Sequence, residues 1–313
     1  MHGVKYYMDA KPSPNPLKPQ DRPNADDPSR LGRGLGDSIP ASRNTVFRAD
    51  LLLGQRVLII GTGVGTATAI LAAQFGADVA ICSREPDQLE ATREAILRLT
   101  GRQIFTSKIS IHDPNAAQKL IGDIHNQFGG LDVLVNNVNG QFAQDAIDIS
   151  RKEWLNVIDT DLNGTWWMMQ ESAKAWRAAS HPGQIINIVA NVERGMPQVA
   201  PKCAAFAGVI YLSRTLATEW APHNIRVNCI APGVVDTEMF SVPPEAALGY
   251  LHNANPMKTR GDAWAVAEAI VYLASPAARF INGDLMVMDG GQAQWGVVWP
   301  AGIPDYFKEH AGI

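Results

Sequence analysis

Short apolar runs separated by longer stretches of mixed character recur along most of the chain. Val57–Ile60, Asp78–Cys82, Ile104–Ile109, Leu131–Val135, Gln184–Val189, Ile225–Ile230 and Leu285–Met288 are β-type runs. Between them lie helical stretches: an Ala-rich segment ending at Phe75, Pro86–Leu99 with proline at its start, and roughly 114–128, 150–178, 203–221 and 262–273. The runs are apolar throughout rather than alternating, as a strand covered on both faces requires. Strands of this kind alternating with helices predict an α/β fold, a Rossmann-type doubly wound parallel sheet of about seven strands with helices on both faces. No repeat of solenoid period stands out.

The pattern stops at both ends. Residues 1–45 carry seven of the 20 prolines in polar sequence, which cannot bury enough surface to offset its own ordering entropy. They are read as an N-terminal extension, either a leader without a core or an arm that wraps a neighbouring subunit through Tyr6, Tyr7 and Met8. Residues 46–291 form the predicted domain. Residues 292–313 form a tail holding Trp295, Trp299, Tyr306 and Phe307, expected to pack on the domain or across an interface.

Composition narrows the function classes. Hydrophobic residues make up 46% of the 313 and charged residues 19%, enough for a full core. A net charge of −4 with no basic block argues against nucleic-acid binding. Cys82, Cys203 and Cys229 have neither disulfide-framework nor zinc-site spacing, which suits a reducing, cytoplasmic location. No metal site is expected. The first thirty residues lack the apolar core of a signal peptide, and no uncharged run approaches the ~18 residues of a membrane span.

Candidate chemistry begins after the first strand. Gly61-Thr62-Gly63-Val64-Gly65 follows a strand and opens a helix, where glycines admit a phosphate and free N–H groups of a helix N-terminus face it. The bland alternative is a tight turn. At the end of the second strand, Ser83-Arg84 stands where a site for an unphosphorylated ribose carries an acid. A cation there suits a ribose 2′-phosphate and favours NADP(H), if a dinucleotide binds at all.

Val57–Arg84, Asp132-Val-Leu-Val-Asn-Asn137, Ile225-Arg-Val-Asn-Cys-Ile-Ala-Pro-Gly233 and Asp289-Gly-Gly291, in that order, resemble the short-chain dehydrogenase/reductase family. The resemblance covers about 47–291. Asn137-Val-Asn-Gly-Gln-Phe142 and Asp161-Leu-Asn-Gly-Thr165 resemble the 2,4-dienoyl-CoA reductase branch and its bacterial terpenoid-alcohol relatives. It implies a dinucleotide held by Gly61, Thr62, Gly63, Val64, Gly65, Ser83, Arg84, Ser110 and Ile111, with Asn136 and Gly140 on the adenosine side. Pro232, Gly233, Val235 and Thr237 would hold the nicotinamide carboxamide. It also implies an oligomer, either a homotetramer or a mixed assembly with an active relative. The helices carrying Trp154, Trp166, Trp167, Met168, Met169 and Trp176, and Ala204 to Trp220, would form its interface.

The same resemblance aligns the family's catalytic Ser, Tyr, Lys and relay Asn with Val189, Lys202, Phe206 and Asp161. The glycine loop is two residues shorter than the family's, and Ser110 replaces an adenine-contacting Asp. Four simultaneous replacements predict a catalytically silent structural or regulatory subunit. The alternative is an NADP(H)-dependent oxidoreductase of a small hydrophobic or acyl-CoA-type enoyl or carbonyl substrate, or a non-redox enzyme, with a rebuilt site. Lys202 and Asp161 are then the only catalytic candidates, since a desolvated lysine can act as acid or base. Otherwise Lys202 is a solvated residue at a helix start. His181, Glu193 and Arg194 are read as solvated loop residues.

Overall fold

The computed structural model describes residues 46–138, 144–236 and 255–294. The predicted N-terminal extension, the tail beyond Gln294, and the site candidates Gly140 and Thr237 lie outside the described residues.

Strands β1 (Arg56–Ile60), β2 (Asp78–Ser83), β3 (Phe105–Lys108), β4 (Val133–Asn136), β5 (Gly183–Ile188) and β6 (Ile225–Pro232) fall within two residues of the predicted runs. β7 (Val235–Asp236) and β8 (Gly261–Asp262) make a separate two-residue parallel pair, and β9 (Leu285–Met288) closes the main sheet. That sheet has seven strands in the order β3-β2-β1-β4-β5-β6-β9, every neighbouring pair parallel. Strand order reverses between β1 and β4, so a crevice opens outside their carboxyl ends, the place where such sheets bind ligands.

Helix α1 (Val64–Gln74) is built from small residues and buried on almost every side, because α2 (Pro86–Thr100) and α7 (Ala263–Ala274) both pack against it. Proline opens α2 and α3 (Pro114–Phe128), where its missing N–H costs nothing. Gly101 and Gly129 end them in the left-handed conformation. Helix α4 (Arg151–Val157) starts from a capping box between Ser150 and Glu153. It runs through a π-helical segment, Ile158–Gly164, into α5 (Thr165–Ala179). Helix α6 (Ala200–Glu219) packs against β6 and the π segment.

Two long-range contacts fix the sheet's amino-terminal edge. Arg56 grips Asp132 with Nε at 2.7 Å and Nη2 at 2.9 Å, and His181 Nε2 lies 2.6 Å from the same carboxylate. His181, still partly exposed, is therefore tied into a hydrogen-bonded cluster rather than being simply a solvated loop residue. Burial raises the Asp132 carboxyl, but bonds from Arg56 and His181 together outweigh it and hold its pKa below the ordinary value. Trp176, 2% exposed, donates Nε1–H to the Leu131 carbonyl at 2.7 Å, and a Cβ on Gly183 would sit 2.2 Å from its indole. Truncating Trp176 to Ala removes that bond and leaves a large cavity. Thermal unfolding should register a loss of about 3–5 kcal/mol, and an unchanged midpoint would contradict this packing.

The same helix corrects one expectation about assembly. Met168 and Met169 are 0% exposed, so with Trp176 they are core residues of the subunit itself. Trp166 is half-buried and stacks on Trp220, with centroids 6.5 Å apart. Of the singled-out aromatics among the described residues, Trp154 is the one that reaches well into solvent, at 40% exposure. Tyr211 of α6, at 68%, accompanies it.

Candidate active site

The glycine loop is Gly61-Thr62-Gly63, between β1 and α1. Gly61 has φ +96°, and a Cβ there would lie 2.1 Å from the Asn137 carbonyl oxygen. No other residue fits that position. Gly63, at φ 71°, is the N-cap of α1 and has no side chain to satisfy the free amides. Asn137 fastens the loop: its backbone N–H donates to Ile60 O at 2.9 Å and its Nδ2 to Thr62 O at 2.7 Å. Thr62 in turn hydrogen-bonds Gln88 of α2.

A cleft of about 330 Å³ opens over this loop. It is lined by Gly61, Thr62, Gly63 and Val64, by Ser83 and Arg84 from the end of β2, and by Ser110 and Ile111 beyond β3. Segments more than forty residues apart thus converge on one cavity. Gly65 lies inside α1, where a Cβ would press on Ile59 at 3.1 Å; its role is helix–strand packing. Asn136 departs from expectation. It is 1% exposed and its Nδ2 donates to Asn187 Oδ1 at 2.8 Å, within the sheet. The residue lining the cleft is its neighbour Asn137, just past the end of β4. Gln88, His112 and Thr160 also line it and were not singled out from sequence. Thr160 Oγ1 donates to Asn156 O at 2.7 Å and lies 2.5 Å from His112 Nε2, joining the cleft wall to the π segment. Only the spacing of His112, two residues after Ser110, could have hinted at this.

Pro232, Gly233 and Val235 sit at the carboxyl end of β6 and in β7. A Cβ on Gly233 would come within 2.8 Å of the Asp289 backbone, so this turn packs directly on the Asp289-Gly-Gly291 segment. Asp289 accepts from Gly291 N at 2.9 Å, Ala293 N at 2.8 Å and Asn191 Nδ2 at 3.2 Å, tying that segment to the loop after β5.

The four positions aligned with family catalysis also converge. Val189 follows β5; Lys202 and Phe206 are one turn apart on α6; Asp161 projects from the π segment, an irregularity often found at functional sites. Val189 and Phe206 join one apolar cluster with Val209, Ile210, Cys229 and Ala231, flanked by Leu162. Lys202 Nζ stands 5.3 Å from the Phe206 ring centroid. Lys202 is 9% exposed and Asp161 0%, so neither is a solvated surface charge. Burial pushes the Lys202 ammonium pKa down, and the nearby Asp161 carboxylate only partly restores it. Glu193 and Arg194 are exposed, as expected. Among the described residues no cluster of His, Cys, Asp or Glu could hold a metal ion, and no helix is long and apolar enough to cross a membrane.

Comparison with known proteins gives this geometry its family. Residues 60–293 match the family model described as enoyl-(acyl carrier protein) reductase. The chain is a short-chain dehydrogenase/reductase. Members of this family typically bind NAD(P)(H). The chain is similar to the peroxisomal 2,4-dienoyl-CoA reductase of Pongo abelii, 31% identical over 261 residues, covering 82% of this chain and 89% of that one. It is also similar to the glucose 1-dehydrogenase of Gluconobacter oxydans, 32% identical, covering 79% and 95%. A crystal structure of a short chain dehydrogenase from Bacillus anthracis superposes with a TM-score of 0.71 at 35% identity, covering 79% of this chain and 99% of that one.

These relatives correct the expectation of a silent subunit. They are named as oxidoreductases, and they match this short-chain dehydrogenase/reductase across nearly their whole lengths. Counting absent family residues leaves out that two of the aligned positions are occupied by buried polar residues, Lys202 and Asp161.

Proposed function

We propose that the chain is an NADP(H)-dependent oxidoreductase that reduces an enoyl or carbonyl group of a small hydrophobic or acyl-CoA-type substrate. The carrying observation is Lys202: a lysine buried beside Asp161 and Phe206 at the aligned position of the family's proton donor. A dinucleotide fits the cleft on structural grounds, because Gly61 leaves a cradle that a Cβ would fill and the α1 amino terminus opens on it. When bound, the nicotinamide supplies the hydride. The remaining work falls to the chain itself.

Lys202, as ammonium, donates one proton to the substrate as the hydride adds, and is reprotonated from water. Together these add two hydrogens across the double bond. Burial makes the ammonium a stronger acid than an exposed lysine, bringing it nearer the working pH. Asp161 partly opposes that shift and so favours the ammonium form. Phe206, Val189 and Leu162 shield the pair from water, which strengthens their mutual field. The deciding test is reduction of 2,4-dienoyl-CoA, trans-2-enoyl-CoA and an alkyl ketone with NADPH, comparing the chain with its Lys202→Met variant. Absence of turnover on all three would reject the reading.

Arg84, exposed at the cleft wall, carries the cofactor preference. Its contact with a 2′-phosphate is worth about 1.5–3 kcal/mol. In calorimetry, Arg84→Ala should weaken NADPH roughly 10- to 100-fold and leave NADH nearly unchanged. Equal losses for both nucleotides would refute the assignment.

Assembly as a homotetramer, or with an active relative, fits the surface of α4 and α6. Trp154, Leu155 and Tyr211 remain 40%, 44% and 68% exposed there. Light scattering should give a mass above the monomer that falls for Tyr211→Glu. A monomer at micromolar concentration would end this proposal.

A further inference from the structure

A second cavity, of about 590 Å³, lies at the opposite edge of the sheet from the glycine loop. Its walls come from the amino-terminal ends of the strands: Gln55 before β1, Asp132 before β4, Gly183 opening β5 and Arg226 in β6. Nothing in the reduction proposed above uses it.

The charge in this cavity is unbalanced. Arg226 is half-buried, and every bond its guanidinium makes goes to a neutral group: Gln184 Oε1, Leu273 O at 3.0 Å and Ile281 O at 2.9 Å. Among the described residues it forms no ion pair. Burial alone pushes its pKa down, the mark of a cation without a compensating anion. Arg279, exposed, adds a second guanidinium, whose one hydrogen bond among the described residues is a 3.4 Å contact to Pro276 O. The cavity's one acid, Asp132, is already engaged by Arg56 and His181. Two arginines with no acidic partner among the described residues therefore line the cavity, and a phosphate dianion would neutralise their charge, with the exposed Arg279 guanidinium free to offer it a fork. Beside them Phe280 is 100% exposed, next to Arg279, and Pro182 contributes another flat apolar surface. A cavity of this volume holds a ring as well as a phosphate.

We propose that this cavity is a second binding site, for a small organic phosphate carrying a flat ring. Arg226 and Arg279 hold the phosphate and Phe280 stacks on the ring. Gln184, Leu273 O and Ile281 O fix the Arg226 guanidinium at the sheet, while Arg279 and Phe280 come from the turn after Pro276–Ala278.

Phenyl phosphate is the probe, titrated calorimetrically into the full chain, with inorganic phosphate and phenol as controls. One saturable site is expected, with phenyl phosphate tighter than inorganic phosphate and phenol not binding. Arg279→Ala should weaken phenyl phosphate at least about tenfold. Phe280→Ala should bring it down to the affinity of inorganic phosphate. Both residues are at the surface, so the melting temperature should hold. Arg226→Lys, which keeps the charge but loses the bonds to Gln184, Leu273 O and Ile281 O that position it, should also weaken binding. Arg84→Ala, in the dinucleotide cleft, should leave it unchanged. The proposal is overturned by no saturable binding below ~10 mM, by binding indifferent to Arg279→Ala, or by binding abolished by Arg84→Ala.

Discussion

Replacing Lys202 with Met should lower turnover by about 10²–10⁴-fold while leaving NADPH affinity and the unfolding midpoint close to those of the unaltered chain. Methionine keeps most of the aliphatic volume beside Phe206 and removes only the proton donor. The pH profile supplies a second readout. The active form is the protonated one, so kcat should be high at low pH and fall as pH rises through the Lys202 pKa. Since burial lowers that pKa from 10.5, the alkaline limb should appear below the range of an exposed lysine. Asp161 opposes the lowering, so Asp161→Asn should move the limb to still lower pH. Stability should show the same pair with the opposite dependence. Between the lowered folded pKa and the ordinary unfolded value of 10.5, the unfolded chain binds more protons. In that window stability rises with pH. Full activity of Lys202→Met, or a limb that ignores Asp161→Asn, would mean that the proton comes from elsewhere.

Gly61→Ala should be the most damaging substitution in the dinucleotide cleft. A methyl group 2.1 Å from the Asn137 carbonyl cannot be accommodated by a side-chain shift, because both atoms are backbone-fixed and φ is +96°. Either the loop moves away from β4 or the end of β1 deforms. Strain of this kind costs on the order of 3 kcal/mol or more. Moving the loop also breaks the Asn137–Thr62 bond, which holds the α1 amino terminus toward the cleft. NADPH binding should weaken by more than about 100-fold, and differential scanning calorimetry should show an earlier transition. Gly54→Ala is a useful control: its φ is also positive, at +78°, but nothing lies within 4 Å of its Cβ position. It should be milder on both counts and spare binding. Equal effects of the two would put the Gly61 loss down to backbone conformation alone and remove the argument from close approach.

The amino-acid sequence by itself determined the sheet and the helices that cover it. Wholly apolar runs such as Val57–Ile60 have no polar face to expose, so they must be sandwiched. The glycines at 61 and 63, following such a run, specify a turn that opens a helix. Local chemistry was legible for the same reason: Ser150 and Glu153, or Pro114 and Gly129, act within a few residues of themselves. Tertiary structure decided what depends on contacts between distant segments. Asn136 and Asn137 are adjacent and chemically identical, and only the position where β4 ends turns one into the core and the other to the cleft. Met168, Met169 and Trp176 read equally well as interface or core until α5 is seen packed on α3 and the sheet. Above all, the surroundings of Lys202 are tertiary: its burial, and the influence of Asp161 from a π-helical turn forty residues away, are not properties of its own stretch of chain.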